Sequence, residues 1–285
     1  VNRMDKHTNI RGEYIPIGNR FQYPRNWGKK KGATILLETR IADKLKVFSG
    51  NGTIEYVDNY GNAVENTTIV PAPAGVTAES VYNKHVSLIG GEKVIASIKE
   101  VKTIFEAEMQ GMVLNFSKFA KAGKLKSTVS VPKMGMTFQK SVINGTSGYS
   151  EAQGQKKEMT AEEIAEKKEE LDPQADIHQA AIGNTRTLKG QDGNQYVIEV
   201  KDAKGETSKE YYDVATGFKV KEVKTQDTPQ GPMSIVVEYA DYKEVPGKKG
   251  YKVAYTVKYQ AGPQAFDMKL TTIEINKGIS DEEFK

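Results

Sequence analysis

Along most of the chain, apolar residues recur at every second position, which is the spacing of a half-buried strand. Val101, Thr103, Phe105, Ala107 and Met109 alternate with mostly polar neighbours, and Met112, Leu114 and Phe116 resume the pattern after a turn at Gln110-Gly111. Further strands are predicted over residues 124–131 and 136–143. Later sets are Tyr196, Ile198 and Val200; Met233, Ile235, Val237 and Tyr239; and Val253, Tyr255, Val257 and Tyr259, the last being the cleanest. Successive short strands with short turns predict an antiparallel meander, each strand presenting one apolar and one polar face.

Two segments depart from this period. Thr77 suits the N-cap of a helix over residues 78–89, with Val81, Tyr82, His85, Val86 and Ile89 on one face and Gly90-Gly91 as the stop. Thr160-Ala161-Glu162-Glu163 is a capping box for a second helix reaching Leu171, ahead of Pro173. That helix has only Ile164, Ala165 and Leu171 as apolar positions, so it reads as a lid or surface helix.

The N-terminal part is different. Residues 1–33 scatter glycines among Asn, Arg and Lys and are read as irregular. A short apolar strand follows at 34–37, then Ile41-Ala42-Asp43-Lys44-Leu45 at helical spacing. Turn signals at Asn51-Gly52 and Tyr60-Gly61-Asn62 mark 49–75 as hairpin and linker, ending in the semi-rigid Pro71-Ala72-Pro73-Ala74-Gly75. The organisation predicted is therefore an irregular basic segment at 1–48, a hairpin and linker at 49–75, and a β domain at 76–285.

The 285 residues are 38% hydrophobic and 27% charged, enough for one substantial core. No run approaches the roughly 18 apolar residues that cross a bilayer, and no charged-then-apolar leader opens the chain, so a soluble protein is expected. The net charge of +4 is uneven: residues 1–48 carry +7, centred on 25–31, and the rest carries −3. A specific nucleic-acid binder would spread its basic residues over a folded groove, so no specific nucleic acid is expected as a partner. The aromatic residues Phe21, Tyr23 and Trp27 within that stretch suit a phosphate or lipid surface, against the plainer reading of a solvated arm.

Candidate chemistry is sparse. Cysteine is absent, which removes thiolate metal sites and thiol nucleophiles. The histidines, His7, His85 and His178, lie far apart and match no zinc-peptidase spacing. No phosphate-binding glycine loop or nucleophile elbow occurs, so neither a catalytic residue nor a cofactor is expected. The informative residues are apolar. Met109, Met112, Met134 and Met136 come in two glycine-containing clusters beside Leu114, Phe116 and Phe138. Methionine adapts to variable apolar shapes, so these seven residues are the candidate ligand groove; methionine as core filler is the competing reading.

Several of these stretches resemble a known family. The succession Pro73-Ala74-Gly75-Val76-Thr77, helix, Ile89-Gly90-Gly91, then Glu106-Ala107-Glu108-Met109-Gln110-Gly111-Met112 is similar to the start of an outer-membrane lipoprotein-sorting-like (lipoprotein carrier-like) domain. Tyr211-Tyr212-Asp213-Val214-Ala215-Thr216-Gly217 and the ending Ile275-Asn276-Lys277-Gly278-Ile279-Ser280-Asp281-Glu282-Glu283-Phe284 are similar to it too. The resemblance covers about residues 71–285. It implies a mainly antiparallel β (α+β) fold, a curved half-barrel sheet with covering helices whose concave face receives lipid or a lipoprotein acyl chain in the periplasm or cell envelope. In Bacteroidetes such domains follow insulinase-type zinc-peptidase domains, and residues 41–48 with 52–60 resemble the junction where the peptidase ends. The zinc motif is missing here. Two functions follow: a non-catalytic envelope module binding an apolar ligand or a partner protein, or an accessory part that supports a zinc-peptidase-like partner without supplying the metal site.

Overall fold

The computed structural model describes residues 69–109, 111–228, 231–261 and 264–285, together with the backbone of three strands nearer the N-terminus. The chain divides into two compact units, 1–68 and 69–285. In the first, β1 (Ile35–Ile41), β2 (Lys44–Phe48) and β3 (Ile54–Val57) form an antiparallel sheet in that order. This corrects two expectations. Residues 1–48 are not irregular throughout, and Ile41 to Leu45 is not helical: Ile41 lies opposite Lys44, with β2 running back along β1. Lys44, Leu45, Lys46 and Val47 alternate with period two, and five residues are too few to establish a helical period against it. The readings of residues 1–33, including Phe21, Tyr23, Trp27 and His7, lie outside the described residues.

The second unit is built on one thirteen-stranded sheet. Its antiparallel strands are β4 (Glu100–Met109), β5 (Met112–Lys121), β6 (Lys124–Val131), β7 (Met136–Asn144), β8 (Ser147–Ala152), β9 (Gln155–Glu158), β10 (Thr185–Asp192), β11 (Gln195–Lys201), β12 (Thr207–Asp213), β13 (Lys219–Thr228), β14 (Gly231–Glu244), β15 (Lys252–Ala261) and β16 (Gln264–Ile275). They lie in the order β10 to β16, then β4 to β9. β16 pairs with β4, which joins the two halves of the chain, and the sheet is curved and open, with β10 and β9 as its edges. The antiparallel, half-barrel-like fold class predicted above is the one observed.

Among the described residues five α-helices accompany the sheet: α1 (Ala78–Ile89), α2 (Gly91–Ile95), α3 (Ala161–Ala165), α4 (Lys168–Leu171) and α5 (Ala175–Ile182). The predicted cap at Thr77 forms, its hydroxyl accepting from the Ser80 amide at 3.0 Å. The single helix predicted to reach Leu171 is instead two short ones, and it is more than a surface element. Ile164 and Leu171 close a core over Ala120, Leu125 and Ile143, while the charged residues between them stay outside. At the other flank, Val81 of α1 packs on Ile198, Val200 and Tyr212. All these sheet residues lie on one face, here termed the inner face. At its far end that face is bent: Phe116 of β5 stacks on Phe266 of β16 at 5.7 Å, although β4 runs between them. Strands two apart stand about 9–10 Å from each other, so the two rings lean together across β4.

The C-terminal tail covers part of the opposite face. The Glu100 carboxylate accepts from the amides of Gly278 and Ile279, and Phe284 is 1% exposed next to β6 and β7. Gly190 shows why one glycine is required. Its φ of +137° is open to few other residues, and a Cβ there would stand 2.2 Å from the Val70 carbonyl, whose strand-like bridge to Gln191 ties residue 70 to the sheet edge.

Candidate functional site

The strand register orders the inner face into rows that run across β4 to β8. The row beneath α3 and α4 is Val101, Ala120, Leu125, Ile143 and Gly148. The next is Thr103, Lys118, Ser127, Ser141 and Ser150, polar throughout. Beyond it come Leu270, Phe105, Phe116 and Val129, and then Met268, Ala107 and Leu114. Directly opposed residues on adjacent strands share a face, so each row is a strip of neighbouring side chains. β15 and β16 continue the apolar area with Val257, Tyr259, Phe266 and Met268, while their alternate residues Lys258, Gln260, Asp267 and Lys269 are exposed on the outer face.

Most of the predicted groove residues fall in this area. Met109 and Met112 close the hairpin between β4 and β5 as a directly opposed pair, and Gly111 between them adopts φ +78°. Leu114 is buried, Phe116 is half-buried, and Met112 is 38% exposed. Met136 lies opposite Val131 and is 45% exposed. Met134 lies in a 3-10 turn, Pro132–Met134, between the strands predicted over 124–131 and 136–143. One placement departs from the alternation predicted over 136–143. Phe138 does not share the alternation of Met136, because the register shifts between Val129 and Ser130 and leaves Phe138 as the extra residue of a bulge. Met134 and Phe138 both remain at the same end of the sheet. Of the five large apolar side chains exposed among the described residues, four are Met112, Met134, Met136 and Phe138.

On the other flank, beneath α1 and α5, the inner face holds a charged network that the sequence did not announce. Glu210 of β12 accepts from the Tyr212 hydroxyl at 2.6 Å and from Lys219 Nζ at 3.2 Å, with Arg186 Nε at 3.5 Å. Arg186 also donates to Gln179 of α5 at 2.9 Å and lies 3.7 Å from the centre of the Tyr82 ring. Lys219 reaches Glu222, which accepts from the Tyr239 hydroxyl. Burial pushes the Glu210 carboxyl up, but Lys219 and Arg186 outweigh burial and hold it below the ordinary carboxylate range. Burial likewise pushes the Lys219 amine down, and Glu210 more than reverses it. The two cations and two carboxylates thus balance one another in charge, although the buried Arg186 Nε makes no hydrogen bond, and the network ties α5 to the sheet.

His85 is part of the same packing. It sits against Tyr212, Phe218 and Tyr242, and its Nδ1 accepts from the Lys219 amide at 3.2 Å. Burial, with Lys219 nearby, lowers its pKa to about 3, so the ring is neutral. His178 pairs with Asp172 at 2.6 Å at the surface. Among the described residues no group of three or more His, Asp or Glu is placed to hold a metal ion, and no helix is long and apolar enough to cross a membrane.

Lys118 and its row of hydroxyls were also missed. The signal was present as an interruption: Met112, Leu114, Phe116, Lys118 and Ala120 occupy one face of β5, and only the fourth is charged. What the sequence could not show is that Ser127 and Ser141 interrupt β6 and β7 at the same level.

No protein family matches the chain by sequence, and no curated protein does. Among solved structures, the chain is similar to a LolA-superfamily protein from Nitrosomonas europaea, at 10% identity and a TM-score of 0.48, over 74% of this chain and 98% of that one. A DUF1329-family protein from Desulfovibrio piger is similar at 9% identity and a TM-score of 0.47, over 73% and 97%. A domain assigned to an outer membrane lipoprotein-sorting protein from Vibrio parahaemolyticus is similar at 12% identity and a TM-score of 0.40, over 66% and 89%.

Proposed function

We propose that this chain is a non-catalytic binding module of the cell envelope whose inner face, at the end of β4–β7 and β14–β16, takes an acyl-type apolar ligand. The observation that carries this reading is the exposure of Met112, Met136 and Phe138 at 38–45% beside half-buried Phe116 and Phe266. Large apolar side chains gathered at one place on a folded surface mark a binding surface more often than chance. The site residues proposed are Met109, Met112, Leu114, Phe116, Met134, Met136 and Phe138. The methionines and stacked rings suit a flexible chain better than a rigid, polar substrate. The envelope location is supported by the lipoprotein-sorting-like resemblance of residues 71–285.

The test is a stability and binding measurement on one variant. Emptying a sealed core by Phe→Ala costs about 3–5 kcal/mol. Phe116→Ala is expected to cost clearly less than that and to weaken saturable binding of dansyl-undecanoate. The full core penalty, together with no saturable probe binding by the unaltered protein, would overturn the reading.

A further inference from the structure

Lys118 stands where the helix-covered part of the inner face meets the open apolar part, and it lacks a counter-charge. Of the acids that act on it, Glu170 accepts from Lys167 at 2.7 Å and Glu169 from Gln179 at 3.1 Å, while Asp176 stands beyond ion-pair distance and burial pushes its carboxyl up, toward the neutral form. Among the described residues the Lys118 ammonium makes no hydrogen bond and has no carboxylate within ion-pair distance, in contrast to Arg186 and Lys219. The hydroxyls of Thr103 and Ser127, directly opposite it on either side, make no side-chain hydrogen bond either. Burial holds the Lys118 amine below the ordinary lysine range, with Glu170 and Glu169 acting in the opposite sense. Lys118 is half-buried, and a cation partly withdrawn from water without a partner is unfavourable, so a ligand that supplied the missing negative charge would recover that cost.

The geometry beside it is that of an amphiphile site. From Lys118 the same face of β5 continues through Phe116 and Leu114 to Met112, six residues and so about 20 Å at the strand rise of ~3.4 Å. One end of this column is a cation flanked by hydroxyl donors, and the remainder is apolar. We infer that the inner face takes a long-chain carboxylate, with its head on Lys118, Thr103 and Ser127 and its tail along Phe116 and Leu114 toward Met112. This rests on the groove proposed above and adds the identity of the head. A singly charged carboxylate matches one free ammonium and two hydroxyls. A phosphate carries more charge than this row can answer, because Arg186 and Lys219 on the helix-covered flank are already paired with Glu210 and Glu222.

The test is displacement of dansyl-undecanoate by oleate, oleyl alcohol and oleyl phosphate from the unaltered protein, Lys118→Met and Lys118→Arg, with the unfolding midpoint of each recorded. Oleate is expected to bind about tenfold tighter than the alcohol, as one charge-assisted hydrogen bond gives. Lys118→Met should weaken oleate to the level of the alcohol and leave the alcohol unchanged, and Lys118→Arg should keep most of the preference. Equal binding of oleate and alcohol by the unaltered protein, or a preference that survives Lys118→Met, would overturn the head assignment and leave the groove standing. A clear preference for oleyl phosphate would overturn the carboxylate. Loss of alcohol binding together with a lowered midpoint in Lys118→Met would make Lys118 a structural residue beneath α4. If no acyl compound binds the unaltered protein saturably, the groove itself fails, and the head assignment with it.

Discussion

His85 and Glu210 show how single residues on the sealed flank of the inner face set its stability. The folded imidazole of His85 stays neutral down to about pH 3, whereas in the unfolded chain it takes up a proton below 6.5. Its contribution is therefore intact above pH 6.5 and is lost on acidification, by at most about 1.4 kcal/mol per pH unit until the folded value is reached. His85→Gln, which keeps an acceptor and removes the titration, should flatten the fall in stability between pH 6.5 and 5; an unchanged slope would mean that another group dominates there. Glu210 accepts from Lys219 and Tyr212 and forms an ion pair with Arg186, so Glu210→Ala leaves Arg186 without a carboxylate and Lys219 with Glu222 alone. A loss of about 3–5 kcal/mol in denaturant unfolding is expected, as for other broken buried pairs. Neither residue could be read this way beforehand. Glu210 looks like any strand glutamate until β11 to β13 are aligned, and His85 was legible only as a residue on the apolar face of α1.

At the scale of elements, alternation was a good guide where one face is wet and the other dry. β4, β5, β15 and the central part of β14 follow it, and so do the caps at Thr77 and Thr160. It failed where alternation is weak or interrupted. β9 is exposed along its whole length and offers no apolar period, and α5 buries Gln179, a polar residue that a hydrophobic pattern passes over. The bulge that removes Phe138 from the row of Met136 is a property of the pairing between β6 and β7 and has no local signature. The C-terminal ending, noticed only as a resemblance, turns out to hold the outer face of β6 and β7 through Phe284. Phe284→Ala should cost about 3–5 kcal/mol, as a large side chain lost from a closed site does. A change within about 0.5 kcal/mol would show that the tail lies on the sheet without supporting it.

For the whole molecule, the sequence-based outline of a curved antiparallel sheet with helices on one face corresponds to what is observed. The helices close the inner face over β10–β12 and at one end of β5–β7, while the opposite end keeps methionine and phenylalanine side chains exposed. The candidate residues were legible because methionine and aromatic residues cluster in sequence around two turns. The polar row that borders them was not, because its members come from different strands and meet only through the register. The central claim is that this open end holds a ligand, and methionine methyl groups report on it directly. In a protein labelled at its methionine ε-methyls and titrated with oleate, the resonances of Met109, Met112, Met136 and Met268 should shift together and saturate. Met159, packed against the core beneath α3 and α4, should not move. Unmoved groove methionines, or shifts at Met159 as large as those at Met112 with no saturation, would contradict the account.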